Sequence, residues 1–482
     1  MSQAETARDA GDKQGSFARG LGLVDATNIV AGAMIGSGIF LVSQDIAKQV
    51  GSPGWLLLVW IITAVMTVVV ALSYGELAAM YPSAGGQYVY LREAYSPLWG
   101  FLYGWTLFMV IQSGSIAAVG MAFAKYLGGV VPGVSEQIVL LKLGPISIST
   151  AHLVALAVIA LLTANNCVNL NAGKWVQNVF TVAKIGSLAA VALVGIVWAR
   201  PDGAMHEAQF WTARATDGTA LIGLALIAAV GSAMVGSMFA ADAWNNVTFV
   251  AGEVREPRRN VPLSLALGAG GVMVLYLLVN VSYLNLLPFQ ALVDTDKTHA
   301  GRVAAAALER VWPWGGQAIS FIVLVSTFGC LNGMILSGPR LYWAMAQDGL
   351  FFKAAGHLGK KSRVPVAGLV LQGVWSGVLT LSGKYGDLLD YVIFAAMLFY
   401  VMSVVGIFIL RKRAPELPRP YKAWGYPWAP AGYVIAASAM MIVLLVYKPT
   451  YTWPGLGIVA LGAPVYWLWK QFGGGSGRTS SS

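Results

Sequence analysis

Residues 31–40 read "AGAMIGSGIF", with Gly32, Gly36 and Gly38 inside an otherwise apolar stretch. Inside lipid every backbone N–H and C=O must find a partner within the protein, so helix-weakening residues at that depth need a reason. Glycine lets a helix stop and restart at Gly36-Ser37-Gly38 without steric strain. The restart presents amide N–H groups to an anion, and the stop presents carbonyls to a cation. A zwitterion carrying a carboxylate and an ammonium group fits such a pair of ends. The competing reading is that small residues only allow helices to approach closely.

The rest of the chain supports the lipid setting. Of 482 residues, 57% are hydrophobic and 11% charged, with mean hydropathy +0.67. That balance excludes an ordinary soluble domain. Since about 20 helical residues cross the hydrocarbon, the apolar runs give about twelve segments. These lie near 24–48, 54–80, 96–127, 150–168, 174–199, 218–252, 263–287, 317–345, 366–383, 388–410, 425–446 and 452–470. The expected fold class is an all-α polytopic membrane protein. Its domain is expected over 21–471, between a cytoplasmic tail at 1–20 and a flexible tail at 472–482 that has the composition of an added linker.

The sixth segment runs from about Thr219 to Glu253 and contains "GSMFAADAWNN" at 236–246, too long and too polar for one straight crossing. First and sixth are corresponding positions in two five-helix halves. Paired interrupted helices in such positions point to a secondary transporter's binding site.

Net charge is +10. Most of the 31 basic residues fall in segments that an inside N-terminus makes cytoplasmic, including Arg255, Arg258, Arg259, Arg340, Arg411, Lys412 and Arg413. The bias matches the positive-inside rule, so an inner or plasma membrane with both termini cytoplasmic is expected, and no nucleic-acid partner. The first 20 residues carry no apolar h-region, so no cleavable signal is expected.

"GSGIF" at 36–40 and "YGELAAMYPSAGGQYVYLREAYSP" at 74–97 resemble the amino acid–polyamine–organocation superfamily. "FAADAWNNVTFVAGEVREPRRNVP" at 239–262, "VQNVFTVAKIGSLAAVALVGI" at 176–196, "STFGCLNGMILSGPRLYWAMAQDG" at 326–349 and "LRKRAPEL" at 410–417 resemble its L-type amino-acid transporter branch. The likeness runs from about 20 to 470. It implies a five-plus-five inverted repeat (about 21–200 and 218–411) with two further helices at about 425–470, working by alternating access on an L-amino acid. By matched position, amides around Gly36, Ser37 and Gly38 would hold the substrate carboxylate. Carbonyls of Ile35, Phe239 and Ala240 would hold its ammonium group. The Phe239 ring would gate the site and Asn245 would brace the unwound segment. Gly114, Ser115, Phe328, Phe394 and Met397 match pocket-lining positions, though each also fits plain core.

Lys184 falls near the bilayer centre, where an ionisable side chain is expensive and usually functional. The resemblance places it where sodium-coupled relatives hold sodium, implying sodium-independent transport; proton coupling is the alternative. Its expected partners are backbone oxygens near Gly36 and a Ser326–Thr327 turn. Asp242 departs from the branch, which commonly has glycine at Asp242 and Ala243. It reads as an N-cap of the second half-helix, as a group that meets a cationic substrate or titrates, or as a solvated cavity position. Glu76 is expected to pair with basic residues. Glu253 is expected to form a gate network with Arg255, Arg258 and Arg259.

Other chemistry finds no support. His152, His206, His299 and His357 are scattered, no His/Cys cluster has metal-ligand spacing, and no phosphate loop or activated nucleophile is present. Cofactors, metals and enzymatic activity are not expected. The 128–149 segment has no cysteine, which argues against the disulfide-linked glycoprotein subunit of some eukaryotic relatives. The resulting reading is a sodium-independent exchanger of neutral L-amino acids. Alternatives are proton-coupled uptake, cationic amino acid or polyamine transport through Asp242, and an amino-acid sensor without transport.

Overall fold

Apolar runs in lipid close their hydrogen bonds along the helix axis, and the computed structural model is accordingly almost entirely helical. The structure describes residues 20–143, 146–168, 170–359, 364–382 and 385–472. Both expected tails, but for residues 20 and 472, lie outside them.

The first run divides into α1 (Leu23–Met34) and α2 (Gly38–Val50), bent by 42° at the break. Pro53 opens α3 (Pro53–Met80), and a short α4 (Gln87–Ala94) leads to a long helix, α5 (Pro97–Leu127), with a π-helical turn at Leu107–Ile111. A hairpin of β1 (Val139–Leu143) and β2 (Ile146–Ser149) then precedes α6 (Thr150–Val168) and α7 (Leu170–Val197). The second interruption separates α8 (Gly223–Ala240) from α9 (Asn246–Phe249), after which come α10 (Pro257–Leu286) and three short helices, α11 (Phe289–Val293), α12 (Thr295–His299) and α13 (Val303–Glu309). The chain closes with α14 (Gly315–Gln347), α15 (Val366–Ser382), α16 (Tyr385–Arg413), α17 (Trp428–Tyr447) and α18 (Pro449–Phe472).

Among the described residues nine helices are long and apolar enough to cross a membrane, ten with the bent pair α1–α2 counted as one span. The protein is therefore a multi-pass, all-α membrane protein. The expected count of twelve exceeds this by two because α15 is short and α18 is not among the helices that are long and apolar enough. The hairpin and α11–α13 fall outside the twelve expected spans.

Two packed groups surround the breaks. In one, α10 lies along α3, α1 and α7, and α2 lies along α8. In the other, α5 is wrapped by α6, α14, α15 and α16. Helix α7 touches both, and α17 and α18 flank α16.

Candidate substrate site at the helix breaks

The last four carbonyls of a helix have no partner along it. Here the last three carbonyls of α1 and that of its C-cap, Ile35, each go to a side chain from another helix. Gly32 O accepts from Lys184 Nζ at 2.9 Å, Ala33 O from Cys330 Sγ at 3.2 Å, Met34 O from Tyr276 Oη at 2.8 Å, and Ile35 O from Ser326 Oγ at 3.4 Å. The Gly36 amide turns back onto Met34 O at 2.8 Å, and α2 restarts behind Ser37. This end is thus satisfied as polar groups in lipid must be. The Ile35 carbonyl holds its partner most loosely.

Lys184 is buried as expected, but its partner is Gly32, a full turn before Gly36. Ser326 and Thr327 form no turn. Both lie inside the unbroken α14, whose Ser326 and Cys330, one helical turn apart, reach α1 from the same face.

The glycines have a steric reason. A Cβ on Gly38 would sit 2.6 Å from both Cα and Cβ of Ala240, so the start of α2 and the end of α8 meet backbone to backbone. A Cβ on Gly36 would lie 3.0 Å from Cys330 Sγ. The two interruptions are therefore in direct contact, which unites the two opening readings: small residues for close approach, and an exposed pair of helix ends.

Beyond Ala240 the sixth span unwinds. The Asp242 amide donates to Phe239 O at 3.2 Å, and Ala243 adopts φ +65°, a left-handed conformation that favours glycine. The Asp242 carboxylate accepts from Tyr400 Oη at 2.5 Å and from the Ala243 amide. It is not the N-cap of α9; Asn245 holds that place, without a side-chain cap, and reaches Gln87 Oε1 at 3.4 Å. Trp244 wedges against Tyr74 and Tyr400, with ring centroids 4.8 and 5.2 Å away. Sequence reasoning missed Tyr400, although it stands one helical turn beyond the named Met397 on α16.

Three small cavities meet at Asp242. One, of about 20 Å³, is lined by Gly36, Ser37, Gly38, Phe239, Ala240 and Ser115, among others. A second, of about 10 Å³, adds Asn245 and Tyr400, and the third adds Met397. The first holds about one water, so an amino acid enters only if the breaks part. Gly114 instead faces Val392 of α16, and Phe394 lies near Gly455 of α18. Phe328 packs between Phe123 and Phe180. These three sit outside the linings of the three cavities.

The charge networks differ from expectation in one partner. Glu253 pairs with Arg340 of α14 at 3.0 Å, both buried, whereas Arg259 faces Glu256 at the surface. The Glu253 carbonyl also receives the amides of Gly20 and Leu21, tying the start of α1 to the end of the sixth span. Glu76 does pair with basic residues: Arg411 at 3.0 and 2.7 Å, Arg419 at 3.5 Å, plus the Ala423 amide at 2.7 Å. On the opposite face Lys48 meets Asp296 at 2.8 Å, and Gln44 donates to Val293 O at 3.1 Å. Among the described residues no group of three His, Cys, Asp or Glu side chains could hold a metal.

Residues 21–463 match the family model for amino acid permeases. The chain is 28% identical over 441 residues to the b(0,+)-type amino acid transporter 1 of Homo sapiens, covering 91% of this chain and 85% of that protein. It is 29% identical over 479 residues to the large neutral amino acids transporter small subunit 2 of Homo sapiens, covering 97% and 83%. The Mus musculus b(0,+)-type transporter is similar at 28% over 411 residues, covering 85% and 80%. Because one of these relatives is named a small subunit, the expectation that a disulfide-linked glycoprotein subunit is unlikely has no support from them.

Proposed function

The chain belongs to the amino acid permease family, in the L-type branch, and is a carrier of amino acids and not an enzyme; on that premise we propose that it exchanges neutral L-amino acids without sodium, by alternating access. The observation that carries this is the contact between the two breaks. The α1 carbonyls and the α2 amides flank one cavity, giving opposite partial charges to the two ends of a zwitterion. In this reading the amides of Gly36, Ser37 and Gly38 take the carboxylate. The carbonyls of Ile35, Phe239 and Ala240 take the ammonium group, and Phe239 closes over it. Lys184, fixed on Gly32, supplies an ammonium group beside α1 where a bound sodium would otherwise be needed. Both termini are cytoplasmic, so the Glu253–Arg340 face is the inner one.

A second reading rests on Asp242. Its carboxylate stands where the three cavities meet, bonded to a hydroxyl and an amide. A substrate with a cationic side chain would find its counter-charge there. The test is exchange in proteoliposomes with a panel of alanine, leucine, arginine and lysine, the lumen empty or preloaded, in sodium-free buffer with and without a proton gradient. Uptake of neutral substrates only into preloaded vesicles, indifferent to both ions, supports the first reading. Preference for lysine and arginine that Asp242→Asn removes supports the second. Proton-driven uptake into empty vesicles refutes exchange.

A further inference from the structure

The segment joining α16 to α17 carries five basic residues and one acidic residue over 411–428. Its folding sorts these charges. Buried Glu76 of α3 neutralises Arg411 and Arg419 and also accepts the Ala423 amide. Arg411 lies over the Tyr426 ring at 3.6 Å, and Arg419 donates to four carbonyls of the segment and the end of α16. Because Arg411 and Ala423 meet on one carboxylate, their chain neighbours Lys412 and Lys422 come to the same end of the bundle. Lys412, Arg413 and Lys422 are exposed, and among the described residues none of the three forms an ion pair. A Cβ on Gly75 would meet both Tyr421 and Pro262, which puts the segment on the Glu253–Arg340 face.

An apolar lane begins where the cations end. Trp424 is exposed, and Trp428, the first residue of α17, is 83% exposed. Tryptophan in such a place sits at the membrane–water boundary. Helix α17 is the least covered of the apolar spans, with 28% of its apolar stretch buried. Ile435 and Ile442 follow Trp428 at intervals of seven residues, two helical turns, and are 70% and 62% exposed. The three therefore share one outward stripe, about 20 Å long. Unpaired cations at the head of a lipid-facing stripe match a phospholipid with net negative charge. A soluble anion would engage the cations and leave the stripe unused.

We propose that Lys412, Arg413 and Lys422, with Trp424 and Trp428, bind one anionic phospholipid of the adjacent leaflet. Its phosphate meets the cations, and an acyl chain lies along Ile435 and Ile442. The Glu76 bonds hold the segment in place beforehand, so little ordering remains to be done on binding. The site is separate from the cavities at the helix breaks and does not rest on the exchange reading.

The test titrates purified full-length protein in detergent with dioleoylphosphatidylglycerol or dioleoylphosphatidylcholine, lipids with the same acyl chains, and counts bound lipid by native mass spectrometry. Wild type is expected to bind one phosphatidylglycerol more tightly than phosphatidylcholine. Lys412→Gln combined with Lys422→Gln is expected to weaken phosphatidylglycerol about 25-fold, at about fivefold for each charge, and to leave phosphatidylcholine unchanged. Trp428→Ala is expected to weaken both lipids, which loss of charge would not do. Lys297→Gln, on the opposite face, is expected to change neither. Equal affinity of wild type for the two lipids overturns the site. So does a phosphatidylglycerol preference that survives the double lysine variant, or one that Lys297→Gln lowers as much as either lysine. Glycerol 3-phosphate displacing the lipid at equal concentration would make this a free-phosphate site and overturns the lipid assignment. Lipid counting needs no flux, so failure of the transport reading and failure of this site are separately visible.

Discussion

Arg340 of α14 donates to Glu253, 87 residues earlier in the chain, at 3.0 Å with both side chains buried. This pair joins the end of the sixth span to the second packed group. Removing one partner leaves an uncompensated buried charge, which costs about 3–5 kcal/mol. Arg340→Met and Glu253→Gln should each lower the unfolding midpoint in detergent strongly. The double variant, with no orphaned charge, should recover much of the loss. A loss in the double variant equal to the sum of the two single losses would show that the pair does not interact.

Gly38→Ala drives a methyl group into the Ala240 backbone, where neither partner is a flexible side-chain end. Overpacking of this kind costs about 1–3 kcal/mol. The expected outcome is lost exchange with a modestly lowered melting temperature, because the breaks are forced apart while the bundle survives. Wild-type exchange rates in this variant would contradict the close contact.

Tyr400→Phe removes the hydroxyl that donates to Asp242 without changing ring packing against Trp244. Selectivity between lysine and leucine should shift in this variant if Asp242 faces the substrate. Substrate competition curves measure it. An unchanged preference order, together with an unchanged order in Asp242→Asn, would confine the carboxylate to a structural role.

Ala243 pays for its φ of +65°, since left-handed backbone costs a non-glycine residue about 1–2 kcal/mol. Ala243→Gly should therefore leave stability equal or slightly higher, against the usual penalty for adding glycine. A melting temperature well below wild type would mean that the Ala243 methyl group packs more than the strain costs.

The hydrogen bond from Lys48 holds the Asp296 carboxyl below its usual range. A depressed carboxylate contributes stability above its unfolded value of about 3.9, lost as pH falls through the lower folded value. The pair is half-exposed, so the contribution is small, under about 1 kcal/mol. Lys48→Ala should thus change stability slightly at pH 7, and the difference from wild type should shrink as pH falls through the lowered folded value, read by parallel melts.

The elements most legible in the sequence were those fixed by local rules. Apolar runs near 54–80 and 425–446 had to be helices because lipid offers no other hydrogen-bond partners. Their ends agree with α3 and α17 to within three residues. The breaks were visible at Gly36–Gly38 and around Asp242 for the same reason, as lapses in an apolar pattern. The hairpin at Val139–Ser149 was not, because residues 128–149 mix glycine, proline and short apolar runs with no sustained period.

By itself, then, the sequence determined that the chain crosses a membrane many times, where two crossings are interrupted, and which rare charges sit at depth. Each follows from solvation, which every residue settles with its own neighbours. Only the tertiary structure decided that Gly38 touches Ala240, that Lys184 serves Gly32, that Glu253 answers Arg340 instead of the nearer arginines, and that Tyr400 meets Asp242. Such pairings join residues from 87 to 202 positions apart, set by how helices pack across the bundle. No local period encodes that.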